Sequence, residues 1–270
     1  MTQDSLGDRM KRDYENRTRF LLPRRTYTLI RVDGKAFHTY TRGCVRPFDL
    51  DLMSDMDATA KALCEQIGGA RFAFVQSDEI SVLLTDFETA QTEGWFDLNL
   101  QKMASISASI ATAAFNQCRI KRMMQVERQG GKSEEEITFA QFDSRVFQIP
   151  LASEVLAYFQ WRQQDATKNS ISMTAQAYFP HEELRGKHSN ALQDKLMLEK
   201  GINWNNLPTG FKRGRCVLKT TETQDREYTD KRTGELKLAE NVERHVWRVV
   251  EPPVFTANPA WLPIPQGMKE

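Results

Sequence analysis

Residues 70–87, ARFAFVQSDEISVLLTDF, decide the fold. Phe72 and Phe74, then Ile80, Val82 and Leu84, recur at every second position on either side of the polar group Gln76-Ser77-Asp78-Glu79. A period of two is the pattern of strands that bury one face. Two such runs around a short polar tip read as a β-hairpin.

The segments outward from this hairpin follow their own periods. Upstream, DLDLMSDMDATAKALCEQIG carries Leu50, Met53, Met56, Ala60, Leu63 and Ile67 at helical spacing, with Asp49 as N-cap and Gly68 as stop. Before it, TYTLIRV (26–32) is β-branched and apolar and reads as a buried strand. The charged segment MKRDYENRTRFLLPRR precedes that strand as a helix that turns at Pro23. Downstream, WFDLNLQKMASISASIATAAFNQCRI reads as a long helix whose Ala and Ser residues suit close packing. GGKSEEEI reads as a surface loop and ITFAQFDSRVFQIP as a further strand region. SEVLAYFQWRQQDATKNSISMTAQAYF is expected to be partly helical, starting at an incomplete capping box on Ser153. HEELRGKHSNALQDKLMLEKG has an amphipathic, mobile character; the segments around YTDKRTGELK form a terminal hairpin, and a proline-bearing tail follows.

The order strand, helix, hairpin, helix, strand predicts an α+β protein. Its core is a split β-α-β-β arrangement, a ferredoxin-like antiparallel sheet with helices on one face, to which a helical elaboration and a C-terminal hairpin are added. Residues 1–218 are expected to form the main domain, and residues 219–270 a hairpin and extended tail packed on it.

Composition limits the rest. The chain has 270 residues, 40% hydrophobic and 27% charged, with a net charge of +1. It is long enough for a sizeable core and has no global basic signal, although a local basic face is compatible with these totals. No run reaches the roughly 18 apolar residues of a membrane helix, and the N-terminus has no apolar stretch of the secretory type. Cys44, Cys64, Cys118 and Cys216 are far apart, with no Cys-x-x-Cys pair and no His spaced for zinc. Four reduced thiols and a cytoplasmic location are expected.

Chemistry enters with RVDGKAFHTY, residues 31–40, at the end of the first strand. If the hairpin pairs with that strand, Asp33, Asp78 and Glu79 converge at one end of the sheet. Carboxylates gathered in an apolar setting repel and take up protons, and divalent cations resolve the conflict. Oxygen ligands of this kind favour Mg²⁺, two ions of which suit phosphoryl transfer. Gly34 would let its carbonyl approach an ion and its amide face a phosphate. Lys35, Arg42, Arg46 and Lys102 are candidates for neutralising a triphosphate. The same residues also admit a plainer reading: Asp-Gly is a common turn, a Ser-Asp-Glu tip is commonly solvated, and His38 and the basic residues suit a surface.

The motifs RVDGKAFHTY, RPFD, VQSDEISVLL, FDSRVFQIP, YFQWRQQDATKNS and GINWNNLPTGFKRG occur in this order. Together they resemble the tRNA-histidine guanylyltransferase family and its guanylyltransferase-like members, over about residues 10–218. That resemblance implies a palm-like catalytic domain and addition of a GTP-derived nucleotide to the 5′ end of a tRNA, after activation of that end by a nucleoside triphosphate, ATP or GTP. It implies two Mg²⁺ ions held by Asp33, Asp78 and the Gly34 carbonyl, with Glu79 as a third acidic position. It places Asp33, Gly34, Lys35, Ala36, Phe37, His38, Ser77 and Asp78 around the nucleotide, with Arg46 and Lys102 near phosphates and Asn169 also at the nucleotide. A homo-oligomer, dimer or tetramer, is implied too. Two departures stand out: Thr167 occupies a position where the family carries histidine, and Asn99 one where arginine is common. They tilt the expectation toward members that repair truncated tRNA 5′ ends on a template. FKRGR (211–215) and MKRDYENRTR (10–19) are the basic patches offered to RNA. A palm-type nucleotide cyclase and a catalytically weakened RNA-binding homologue are the alternatives.

Overall fold

In a computed structural model, which describes residues 5–128 and 138–267, the chain forms a six-stranded sheet in the order β4-β1-β3-β2-β5-β6. The strands are β1 (Tyr27–Gly34), β2 (Ala70–Gln76), β3 (Glu79–Leu84), β4 (Phe142–Ile149), β5 (Arg215–Thr229) and β6 (Leu236–Val250). Every pairing is antiparallel. The order β4-β1-β3-β2, with α3 (Leu50–Gln66) and α4 (Leu100–Arg128) as crossovers, is the expected split core. The remaining helices are α1 (Ser5–Asp13), α2 (Phe37–Tyr40), α5 (Ala152–Tyr178), α6 (His181–Leu184), α7 (Ser189–Lys200) and α8 (Thr209–Arg213).

Side-chain alternation divides the sheet into two faces. Ile30, Val32, Val75, Ile80 and Val82 meet Met56, Ala60 and Leu63 of α3 and Met103, Ala111 and Phe115 of α4. Asp49 caps α3 as expected, accepting the Leu52 amide at 2.8 Å. The small residues of α4 allow close approach, and Ser107 Oγ lies 2.7 Å from Ser144 Oγ of β4.

The opposite face is covered by the helical elaboration. Leu29, Phe72, Phe74 and Leu83 meet Val155, Tyr158 and Phe159 of α5, with Phe255 and Leu262 from the tail. Thus β2 and β3 are covered on both sides, and every residue of β3 is buried, the polar Glu79 and Ser81 included. The segment expected to be partly helical is one unbroken helix of 27 residues. Its buried positions continue to Ala175, so packing sustains it where capping does not; Leu151 precedes it, and Ser153 lies inside the first turn. The amphipathic segment after it is packed rather than loose: Leu192 and Leu196 of α7 join Ile171, Ala175 and Trp204 in a third cluster. Trp204 Nε1 donates to Ser170 Oγ at 3.0 Å, which gives the GINWNN motif an architectural role.

The terminal hairpin begins inside the body, where Cys216 and Val217 pair with β2, and extends outward into exposed positions. β5 therefore runs without a break through the division expected at residues 218 and 219. The expected GGKSEEEI loop lies outside the described residues. Among the described residues the four cysteines are free, and no helix is long and apolar enough to cross a membrane.

Leu63 is fully buried between α3 and the sheet. Leu63→Ala is expected to lower the unfolding free energy by about 2–5 kcal/mol in urea titration, through lost burial and a residual cavity.

Candidate active site

The site is built where β1 ends. Asp33 pairs with Glu79 of β3 on one side and with Asp143 of β4 on the other. Ser77, at φ 47°, supplies the left-handed residue that turns β2 into β3 and presents Asp78 beside Asp33. Burial pushes the Asp78 carboxyl above the ordinary aspartate range, and the charges of Asp33 and Glu79 push it the same way.

A cleft of about 560 Å³ opens over this corner. One wall is the segment from Ala36 to Met53, which contributes His38, Arg46, Phe48 and Asp49. The other is the second half of α5, with Asn169, Ser170 and Met173. Gln76, Ser77, Asp78 and Gly34 line it from the sheet, and Gly210, Phe211, Gly214 and Arg215 complete it. A volume of several hundred Å³ is that of a small-molecule or nucleotide site.

The structure changes several expected roles. Gly34 does not offer its amide to a phosphate, because that N–H donates to the Asp78 carbonyl at 3.1 Å. Its lack of a side chain serves the core: a Cβ there would stand 2.2 Å from the Phe37 ring. Phe37 borders the cleft, yet its ring is buried among Tyr40, Phe115 and Phe142. Ala36 adopts φ 53°, which turns the chain back over the sheet end. Lys35 points away from the cleft and bonds Gln141 Oε1 at 3.0 Å in a neighbouring groove.

Lys102 is also outside. Thr112, ten residues farther along α4, is the residue level with the site, since its hydroxyl accepts the amide of Phe142, the partner of Gly34. Ten residues of helix span about 15 Å, so Lys102 lies well back along the sheet. Its ammonium rests over the Phe96 ring.

Glu79, expected as the third member of the acidic set, is already occupied. The Arg162 guanidinium binds both carboxylate oxygens, Nε to Oε1 at 2.8 Å and Nη2 to Oε2 at 2.9 Å. The basic patch FKRGR is similarly committed: Lys212 donates to the Asn205 carbonyl at 2.6 Å, and Arg215 is buried against Asp57 at 2.6 Å. The patch at residues 10–19 stays exposed. Both departures from the family pattern have local explanations. Asn99 caps α4 through the Lys102 amide at 3.0 Å, and the Thr167 hydroxyl donates to the Gln163 carbonyl within its own helix.

A divalent cation suits the aspartate pair. Asp78 is buried beside a like charge, and among the described residues neither Asp33 nor Asp78 has an ion-pair partner. No group of three or more His, Cys, Asp or Glu side chains converges as a ligand set among the described residues. Two carboxylates that leave the remaining positions to water and phosphate match the habit of Mg²⁺. Sequence reasoning missed the Phe48–Phe211 stack, whose centroids are 4.5 Å apart, and the lining by Met53, Met173 and Arg215. No local period marks those residues, since they meet only through the tertiary fold.

A split βαβ sheet that carries two aspartates beneath a nucleotide-sized cleft defines a palm-type nucleotidyltransferase arrangement. The comparisons give the family. Residues 7–150 match the model of Thg1, tRNAHis guanylyltransferase, and the chain belongs to that family of enzymes. The tRNA(His) guanylyltransferase of Debaryomyces hansenii is 28% identical over 237 residues, which span 81% of this chain and 80% of that protein. The Saccharomyces cerevisiae enzyme is 29% identical over 73% of this chain and 84% of its own. Among solved structures, a bacterial tRNA(His) guanylyltransferase (Thg1)-like protein in complex with ATP is 43% identical, with a TM-score of 0.79 and coverage of 96% and 97% of the two chains. A bacterial Thg1-like protein in complex with GTP is 39% identical, with a TM-score of 0.71 over the same shares.

Asp78→Asn is expected to raise the melting temperature of the metal-free protein at pH 7. The folded carboxyl keeps its proton to higher pH than the unfolded chain does. Its ionisation therefore costs stability as pH rises from the ordinary aspartate range through the raised value. Thermal melts in chelator should show the gain shrinking as pH falls toward that ordinary range.

Proposed function

We propose that this protein is a Mg²⁺-dependent 3′-to-5′ nucleotidyltransferase that adds a GTP-derived nucleotide to the 5′ end of a tRNA. The observation that carries the reading is the Asp33–Asp78 pair at the end of β1, without an ion-pair partner among the described residues and with Asp78 lining the cleft. The matched family and the ATP- and GTP-bound relatives supply the nucleotide class.

In this reading Asp33, Asp78 and the Gly34 carbonyl would hold two Mg²⁺ ions. When bound, the ions neutralise phosphate charge and activate the attacking 3′-hydroxyl of the incoming nucleotide. Arg46 faces the triphosphate, and the Ala36–His38 turn and Ser77 pass along the nucleotide. Asn169 contacts it from α5. The stacked rings of Phe48 and Phe211 would limit water in the cleft they line. ATP or GTP would activate the RNA end in the same cleft. RNA is met by the exposed basic segment at residues 10–19, and a homo-oligomer would extend that surface across subunits.

Thr167 favours templated repair of truncated tRNA over strict addition to histidine tRNA. Its hydroxyl is spent inside α5, so this position offers RNA no imidazole. The cyclase reading gives no reason for the WRQQD and GINWNNLP motifs, and the weakened-homologue reading gives none for a retained aspartate pair without a counter-charge.

Asp33→Ala and Asp78→Ala are each expected to lose nucleotide addition by at least about 10³-fold, with an unchanged circular dichroism spectrum. The assay uses labelled GTP, Mg²⁺ and two RNAs: full-length histidine tRNA with a 5′-monophosphate, and a tRNA that lacks its first nucleotide and bears a 5′-triphosphate. Extension of the truncated RNA alone supports repair; full activity in either variant overturns the metal assignment. Arg46→Ala is expected to raise KM for GTP by about tenfold with little change in kcat, as loss of a ground-state phosphate contact does. Steady-state kinetics at saturating RNA check this.

A further inference from the structure

Glu79 sits cross-strand from Asp33 and next to Asp78 in sequence, yet it differs from both in having a complete counter-charge. It is only 8% exposed, and Arg162 only 6%. The contact is fork to fork, the geometry in which a guanidinium holds a carboxylate most firmly. Gln76 Nε2 at 3.3 Å and Ser81 Oγ at 3.4 Å also donate to Oε1, and Arg31 Nε stands 3.9 Å from Oε2. The guanidinium is fixed in turn by Asp165, at 3.0 Å, and by the Trp161 ring, 4.3 Å away. Oε1 thus accepts three hydrogen bonds and Oε2 one from Arg162, so the carboxylate is directed at the guanidinium.

The pair has a second consequence. Arg162 belongs to α5, and Asn169 follows it two helical turns later on the cleft wall. One ion pair therefore links the hairpin that carries Asp78 to the helix that closes the cleft, across 83 residues of chain.

We propose that Arg162 is a positioning residue that keeps Glu79 out of the metal set and seats α5 over the nucleotide. The proposal rests on the reading of Asp33 and Asp78 as the metal-holding pair. Without Arg162, Glu79 would be a third carboxylate at the same corner, and α5 would lose its ion-pair tie to the hairpin while keeping the Ser81–Tyr158 hydrogen bond and the packing against Phe72 and Leu83.

The test combines Mn²⁺ binding, read by electron paramagnetic resonance on the free protein, with KM for GTP. Glu79→Gln keeps the shape of the side chain. It is expected to bind Mn²⁺ within about twofold of the wild type, whereas loss of a direct ligand weakens binding by about tenfold or more. Arg162→Lys keeps the charge but not the fork. It is expected to leave Mn²⁺ affinity unchanged and to raise KM for GTP about fivefold or more, because α5 is no longer held in register. Arg162→Ala is expected to tighten Mn²⁺ binding through the freed Glu79, and Arg162→Ala with Glu79→Gln to reverse that gain. Tenfold weaker Mn²⁺ binding in Glu79→Gln, or a wild-type KM in Arg162→Lys, overturns the proposal and leaves the aspartate pair standing. Asp33→Ala separates the two failures: Mn²⁺ binding equal to the wild type there overturns the aspartate reading itself, and this proposal with it.

Discussion

The register between β1 and β3 is the constraint on which the site depends. Opposite residues Asp33 and Glu79 share a face, and Asp78 follows the turn that this register fixes. A slip of one residue would send every side chain of β1 to the other face. Ile30 and Val32 would leave the core of α3 and α4, and Asp33 would leave the face it shares with Glu79. Hydrophobic burial on two faces thus pins the position of both carboxylates, although desolvation of Asp78 opposes it. The apolar residues on either side hold them at close quarters, and the raised pKa of Asp78 records the strain of that arrangement.

Around this register, opposite charge is distributed unevenly. Glu79 has Arg162 within 2.9 Å and Arg31 within 3.9 Å, and Asp165 accepts a further bond from the same Arg162 Nη2. Asp33 and Asp78 have none of this. Three acidic residues adjacent in space therefore divide into one that serves the architecture and two that are left for a cation. The division follows side-chain direction and helix placement, not residue type.

Much of the fold was legible because its signals are local. The hairpin showed its period of two, α3 its period and its Asp49 cap, and the order of elements named the split core. The second face was less legible. α5 has a broad buried surface that reaches the sheet only once the chain has closed, and its capping signal was weak. In the site, Asp33 and Asp78 could be read because each ends a strand beside a turn. The commitment of Glu79 to Arg162 could not, since it joins residues 83 apart. The reason for Gly34 was also hidden: sequence suggests access for a ligand, while the structure shows a Phe37 ring where a Cβ would be. Lys35 and Lys102 were misplaced because sequence gives the charge of a side chain but not its height along the sheet.

The chain order also bears on how the molecule forms. The first face is built mostly from residues 27–149, which contain all four strands of the split core and both crossover helices, with Val217 of β5 and Trp247 and Val249 of β6 added later in the chain. The second waits for Phe255 and Leu262, and Tyr27 at the start of β1 donates to the carbonyl of Pro265. Gln163 of α5 likewise clasps the backbone of Pro253 and Phe255. During synthesis from the N-terminus, half of a core can therefore close while Leu29, Phe72 and Phe74 still lack their last cover. That interval exposes aromatic surface to neighbouring chains and to chaperones, and it ends only with the arrival of the tail.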